Sequence, residues 1–285
     1  MVIDVPLTSG ALLEAAARLL SGAGVPEARR EAARLAEAAW GLGPGQARVQ
    51  ADQERSHQEG ERLLALAGRR TRGEPLAHVT GSAGFRRLDL ASDGRALIPR
   101  PETEGLVGLV LERMDRGAVA DIGTGSGCIA LSLAQEGNYD RVLGIDCSGE
   151  ALDLARANAA RTGLVVEWRL GDLVEPLRGE SVDVLVANPP YLTGDEYEGL
   201  DAAVRDWEPR LALESGPDGL DVTRRLLEAG AAVVRPGGWM ALEVDCERAA
   251  AVAGLAAGFG WTAPAVYRDL YDRARYVLAR RSETS

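Results

Sequence analysis

Val119-Ala120-Asp121-Ile122-Gly123-Thr124-Gly125-Ser126-Gly127 begins as an apolar run broken by one acid and ends in three glycines at alternate positions. The residues that follow, Cys128-Ile129-Ala130-Leu131-Ser132-Leu133-Ala134, have the apolar content of a helix packed on a sheet. Strand, glycine turn and helix in that order form a nucleotide-binding unit, because glycines permit the tight turn and let the backbone approach a ligand closely. The spacing is G-x-G-x-G and not the dinucleotide G-x-G-x-x-G, so the loop by itself does not name its ligand.

Three further strand ends narrow the reading. Arg141-Val142-Leu143-Gly144-Ile145-Asp146 predicts a second strand that ends in an acid about 20 residues on, the place for a carboxylate that holds a ribose hydroxyl pair. A third strand, Val165-Val166-Glu167-Trp168-Arg169-Leu170, runs into Gly171-Asp172-Leu173, where Asp172 would accept a hydrogen bond from an adenine amino group. A fourth, Val182-Asp183-Val184-Leu185-Val186-Ala187, ends at Asn188-Pro189-Pro190-Tyr191. Pro-Pro alone marks a turn. In open α/β sheets, however, ligands sit beyond the carboxyl ends of the strands. There an Asn amide both accepts and donates, while two prolines stiffen the chain and offer no N–H. Such a backbone presents mainly carbonyl acceptors, which suits a substrate nitrogen that carries protons.

These motifs, in this order, resemble the class I S-adenosylmethionine-dependent methyltransferases. The resemblance implies transfer to a planar, conjugated nitrogen, with Asn188, Pro189, Pro190 and Tyr191 as the catalytic motif. Gly73-Glu74-Pro75-Leu76-Ala77-His78-Val79-Thr80-Gly81 and Leu97-Ile98-Pro99-Arg100-Pro101-Glu102-Thr103-Glu104 are similar, more narrowly, to the peptide chain release factor glutamine methyltransferases. With an N-terminal helical region added to these motifs, the resemblance covers about residues 10 to 281. What the resemblance implies is methylation of the glutamine in the Gly-Gly-Gln loop of class I release factors. It also implies an S-adenosylmethionine pocket built from Asp121, Gly123, Thr124, Gly125, Ser126, Gly127, Asp146, Asp172, Leu173 and Asn188, with Arg100 and Thr103 on the cofactor side. The chain departs from the family pattern at Phe85-Arg86-Arg87-Leu88, at Asp245-Cys246 after Leu242-Glu243-Val244, and over 268–275.

Composition fits a soluble, cytoplasmic enzyme of this kind. The 285 residues are 46% hydrophobic, enough for one full α/β domain and a smaller one. All 32 basic residues are arginine, the mark of a GC-rich coding genome and a reason to read each arginine first as compositional. Three widely spaced cysteines and two histidines indicate neither a disulfide framework nor a zinc site. The start Met1-Val2-Ile3-Asp4-Val5-Pro6 lacks a signal-peptide pattern, and no apolar run approaches a membrane span. A net charge of −11 disfavours a sequence-independent grip on phosphate backbones and favours a protein substrate over nucleic acid. The alternatives are an amino-methyltransferase acting on a nucleic-acid base and a non-catalytic cofactor-binding partner; Asn188-Pro189-Pro190-Tyr191 speaks against the second, since a binder has no need of acceptor geometry.

The expected fold is α/β, a doubly wound seven-stranded Rossmann-like methyltransferase domain over 99–285. A small helical substrate-docking domain over 1–70 and a linker or β-hairpin over 71–98 precede it. Helices are expected over 11–20, capped by Thr8 or Ser9, over 27–40 after Pro26, and over a more polar third stretch, 47–67. The last part of the chain reads as 231–234, a turn at Arg235-Pro236-Gly237-Gly238, a strand over 239–244, and a final pair over 263–267 and 275–279. Arg69-Arg70-Thr71-Arg72 reads as a solvated helix end, and His78 as a structural residue of the linker. The stretch 192–217, with Tyr197, Trp207 and Glu208, is a lid or an anchored surface loop and lies outside the proposed catalytic set.

Overall fold

The structure, a computed structural model, describes residues 7–283. The chain divides into two compact units: Met1–Ser82 with Asp201–Trp207, and Ala83–Leu200 with Glu208–Ser285. The first is helical: α1 Ser9–Gly22, α2 Ala28–Trp40, α3 Gln46–Val49, α4 His57–Arg70 and α5 Leu76–Thr80, with two short paired strands, β1 Leu7–Thr8 and β2 Glu54–Arg55. Thr8 caps α1 by accepting from the Ala11 N–H at 3.2 Å. Alanines let the helices approach closely, with Ala16, Ala32 and Ala36 packed among Leu12, Leu20, Leu35 and Leu63.

Three expectations need correction here. The stretch 47–67 is not one helix: α3 ends at Val49, and α4 starts afresh behind a capping box in which Ser56 and Glu59 satisfy each other's backbone N–H groups. The helical unit does not stop at residue 70, because Leu76–Thr80, within the stretch expected as a linker or hairpin, forms α5 and packs on α2 and α4. The arginine run is not simply solvated, since Arg69 forks onto Glu74 and Arg70 binds Glu31 at 2.7 Å.

The second unit opens with the hairpin β3 Ser82–Phe85 and β4 Leu88–Ala91, followed by α6 Thr103–Arg113. Seven strands then form one sheet: β5 Arg116–Ile122, β6 Asn138–Asp146, β7 Glu167–Leu170, β8 Val182–Ala187, β9 Val234–Glu243, β10 Trp261–Arg268 and β11 Ala274–Arg281. Their order is β10-β11-β9-β8-β5-β6-β7. The strands from β9 to β7 run parallel, and β11 is antiparallel to both of its neighbours. Between strands lie α7 Cys128–Glu136, α8 Gly149–Thr162, α9 Gly194–Glu198, α10 Ala202–Arg205, α11 Asp221–Val233 and α12 Ala249–Gly258; α10 belongs to the helical unit. Residues 231–233 close α11, and β9 begins at Val234.

Alternate residues of the parallel strands bury on opposite faces, which is why these strands read as unbroken apolar runs. Ala120, Ile122, Leu143, Leu185 and Leu242 face Leu226, Leu227 and Val252, while Val119, Val142, Val184 and Ala241 face Leu106 and Leu131. The register aligns the carboxyl ends of the strands. Ile122 pairs with both Ile145 and Ala187, and Ala187 pairs with Leu242. The next residue of each, Gly123, Asp146, Asn188 and Glu243, therefore lies in one row along the edge of the sheet.

Candidate active site

The glycine loop is fixed from both sides. The Gly123 and Thr124 N–H groups donate to the Ile145 carbonyl at 2.8 and 3.0 Å. The Asp146 carboxylate takes the Gly125 N–H at 2.8 Å on Oδ2 and the Ser148 N–H at 2.9 Å on Oδ1. Gly125 adopts a left-handed φ of 55°. Gly127 (φ 83°) meets a different demand, because a Cβ there would stand 2.9 Å from the Trp168 ring. Beneath the loop, fully buried Asp121 accepts from the Thr124 hydroxyl at 2.5 Å and from the Ala130 N–H at 3.1 Å, both on Oδ2. Its Oδ1 has no partner among the described residues. Burial pushes the Asp121 carboxyl up to about 7, against the two hydrogen bonds and with some help from Asp146.

A largely apolar cavity of about 230 Å³ opens beyond this loop. Its walls bring together residues 123–126, Asp146, Asp172, Leu173, Arg100, Thr103 and 188–190, all marked by sequence. Asp121, Gly127 and Tyr191 stand outside the cavity lining: the first two brace the loop, and Tyr191 continues the backbone behind Pro190. Asp172 is ion-paired with Arg225.

Two acids that sequence reasoning left out hold this arrangement. Glu208, with a side chain 1% exposed, accepts from Arg100 Nη2 at 2.6 Å and from the Ile98 N–H at 2.9 Å. It thus ties the 97–100 wall of the cavity to the wall formed by Pro209, Leu211 and Ala212. Nothing in the sequence around Glu208 foretells a contact more than 100 residues away. Glu243 is 1% exposed at the end of β9. An apolar strand ending in an acid, the same signal that singled out Asp146, was there to find it. Burial pushes its carboxyl up to about 7; the facing Thr103 hydroxyl opposes most, followed by Arg275.

Asn188 follows β8 directly, and its Nδ2 donates to Thr103 Oγ1 at 3.2 Å. Oδ1 is therefore the end of the amide turned away from Thr103. The motif's backbone is anchored where Tyr191 and Leu192 both donate to the Leu213 carbonyl, at 3.1 and 2.9 Å. Gly219 passes so close that a Cβ there would meet the Tyr191 carbonyl oxygen at 2.3 Å. Burial raises the Tyr191 hydroxyl to about 12, with the Glu243 charge adding to the effect.

Two family models match the chain, one described as the PrmC N-terminal domain over residues 11–81 and one as the methyltransferase small domain over residues 103–205. The release factor glutamine methyltransferase of Moorella thermoacetica is 43% identical over 279 residues, covering 96% of this chain and 98% of that protein. That of Deinococcus radiodurans is 40% identical over 274 residues, covering 95% and 98%. The chain belongs to the release factor glutamine methyltransferase family. Among solved structures, a methyltransferase from Pyrococcus furiosus matches with a TM-score of 0.52 at 19% identity, covering 68% of this chain and 89% of that one. That likeness, at 19% identity, concerns the fold alone.

The residues present fit the family's cofactor, S-adenosylmethionine. Asp146 lines the cavity with two of its roughly four lone-pair sites taken by backbone N–H groups, leaving acceptors for ribose hydroxyls. The apolar walls suit an adenine ring, and a net acidic chain suits a cationic ligand. Glu208→Gln keeps the shape but removes the charge that grips Arg100. It is expected to weaken cofactor binding by roughly 1–2 kcal/mol, the scale of a hydrogen bond to a charged group. Calorimetry checks this, and an unchanged dissociation constant would mean that the two walls hold without the clamp.

Proposed function

We propose that this chain transfers the methyl group of S-adenosylmethionine to the side-chain amide nitrogen of the glutamine in the Gly-Gly-Gln motif of class I peptide chain release factors. The observation that carries the reading is the Asn188 amide, committed through Nδ2 to Thr103 with Oδ1 turned away, at the mouth of the strand row and on the cavity wall. When bound, the cofactor supplies an electrophilic methyl group on a sulfonium. An amide nitrogen is a poor nucleophile because its lone pair is delocalised. Asn188 Oδ1 and the Pro189 carbonyl accept its two protons and turn the lone pair out of conjugation, so the chain's part is orientation and charge placement. No strong base is needed beforehand, since the nitrogen becomes acidic only as it gains the methyl group; the methyl carbon would part from sulfur to leave a neutral thioether, and the surplus N–H proton would pass to solvent. Asp146 holds the ribose, and the loop over Asp121 shapes the pocket around it. The reaction belongs to translation, hence to the cytoplasm.

The helical unit is assigned to docking of the release factor. Intact release factor should then be methylated with a much lower KM than a short Gly-Gly-Gln peptide, at similar kcat. Equal KM values would confine recognition to the loop. The reading as a whole is tested by following labelled methyl from the cofactor to a release factor, to the same factor with its Gly-Gly-Gln glutamine replaced, and to structured RNA and DNA. Label is expected in the first alone; label in nucleic acid would favour a base amino-methyltransferase.

A further inference from the structure

We infer that Thr103 and Glu243 together set which way round the Asn188 side-chain amide points, making both of them positioning residues for methyl transfer. The inference rests on the reading that Asn188 Oδ1 accepts from the substrate amide. An Asn side chain is a nearly symmetric fork. Turned by half a rotation it would present its NH₂ to the NH₂ of the substrate, two donors facing each other. Something at the far end must therefore be an acceptor only.

Thr103 alone does not meet that demand, because a hydroxyl both donates and accepts. Its oxygen accepts reliably from Asn188 Nδ2 only if its own proton is committed elsewhere. Thr71, Thr80 and Thr162 commit theirs to backbone carbonyls three or four residues upstream. Thr103, the first residue of α6 and 2% exposed, makes no such bond among the described residues. What its hydroxyl faces is the carboxyl of Glu243, one strand over in the same row as Asn188. An ionised carboxylate is an acceptor only. Ionised, above its raised value of about 7, it would accept the Thr103 O–H as a hydrogen bond, leave the hydroxyl lone pair for Nδ2, and so leave Oδ1 for the substrate.

The surroundings keep Glu243 in place for this. Arg275, itself held by Asp269 at 3.0 Å, and Arg100 favour its charged form, while Glu102 opposes it. Tyr276, its cross-strand partner, donates its hydroxyl to the Glu102 carbonyl at 2.6 Å and fixes the start of α6, and hence Thr103. The acid is not there for stability. It is buried, and its Oε2 has no partner among the described residues, an arrangement that costs free energy compared with an apolar side chain.

Glu243→Gln is nearly isosteric but brings a donor to the place of the acceptor. Glu243→Gln and Thr103→Val should each slow single-turnover methylation of intact release factor about tenfold or more, the scale of one orienting hydrogen bond. For Glu243→Gln, whose residue stands outside the cavity lining, the calorimetric dissociation constant of S-adenosylmethionine should not move. Thr103→Ser, which restores the hydroxyl, should recover most of what Thr103→Val loses. In an Asn188→Ala background Glu243→Gln should cost nothing further, because there is no amide left to orient. An equal cost in both backgrounds, a change confined to cofactor affinity, or full speed for Glu243→Gln would overturn the inference. If Glu243→Gln fails to fold, the Thr103 pair decides alone, with equal slowing by Val and Ser as the contrary result. Full speed for Asn188→Ala would instead remove the reading on which the inference rests.

Discussion

Replacing Asn188 by alanine lowers the single-turnover rate of methyl transfer by roughly 10²–10³, the usual loss for one well-placed hydrogen bond to the reacting group. The reason is geometric. Asn188 sits directly beyond β8, with Nδ2 on Thr103 at 3.2 Å; in the proposed reaction its Oδ1 would be the preorganised acceptor of a hydrogen bond from the substrate amide. Without it the Pro189 carbonyl holds only one of the two substrate N–H groups, and the lone pair swings back into conjugation. Cofactor affinity should change little, since Asp146 and the glycine loop, which also line the cavity, are left in place. Calorimetry combined with rapid quench separates the two effects. Lost binding with an unchanged transfer rate would reverse the assigned role.

The second large effect concerns Asp146 and the glycine loop. Asp146→Ala should weaken S-adenosylmethionine binding by roughly 1.5–3 kcal/mol through lost charge-assisted hydrogen bonds. The structure adds a second loss, because the same carboxylate holds the Gly125 and Ser148 N–H groups at 2.8 and 2.9 Å and so shapes the loop. Gly125→Val acts by another route. A Cβ at Gly125 meets only Ala96, at 3.7 Å, so there is room for it; the left-handed φ of 55° is what a β-branched residue resists. The expected result is a loop driven out of shape at a cost of roughly 1–3 kcal/mol, read as weaker cofactor binding in equilibrium titrations. If both variants bound as tightly as the parent chain, the pocket would lie elsewhere.

Much of this site was legible in the sequence because its parts are local. A strand end and the residue after it are adjacent in the chain, so Asp146, Asn188 and the glycine loop could be found one strand at a time, and β8 has the bounds its apolar run predicts. Glu243 carries the same signal as Asp146, an apolar strand ending in an acid, but only the pairing of β9 with β8 places it in the row with Asn188. Glu208 is a different case. Its partners Ile98 and Arg100 are distant in sequence, and only the folded chain brings them together. In the helical unit, Ser56-His57-Gln58-Glu59 announced a helix start that the polar character of the 47–67 stretch obscured. Asp121 and Gly127 were marked as cofactor residues from their motif alone, and the structure puts both of them behind the loop, in the brace.

The proposed function confines methylation by this chain to one amide nitrogen of one protein loop. Its most direct test is site-resolved mass spectrometry of an unmethylated class I release factor after incubation with the purified chain and S-adenosylmethionine. A single methyl group is expected on the side-chain nitrogen of the Gly-Gly-Gln glutamine, and none in a parallel reaction with Asn188→Ala. A methyl group on any other residue, or an unmodified release factor in the presence of a cofactor-bound chain, would contradict it.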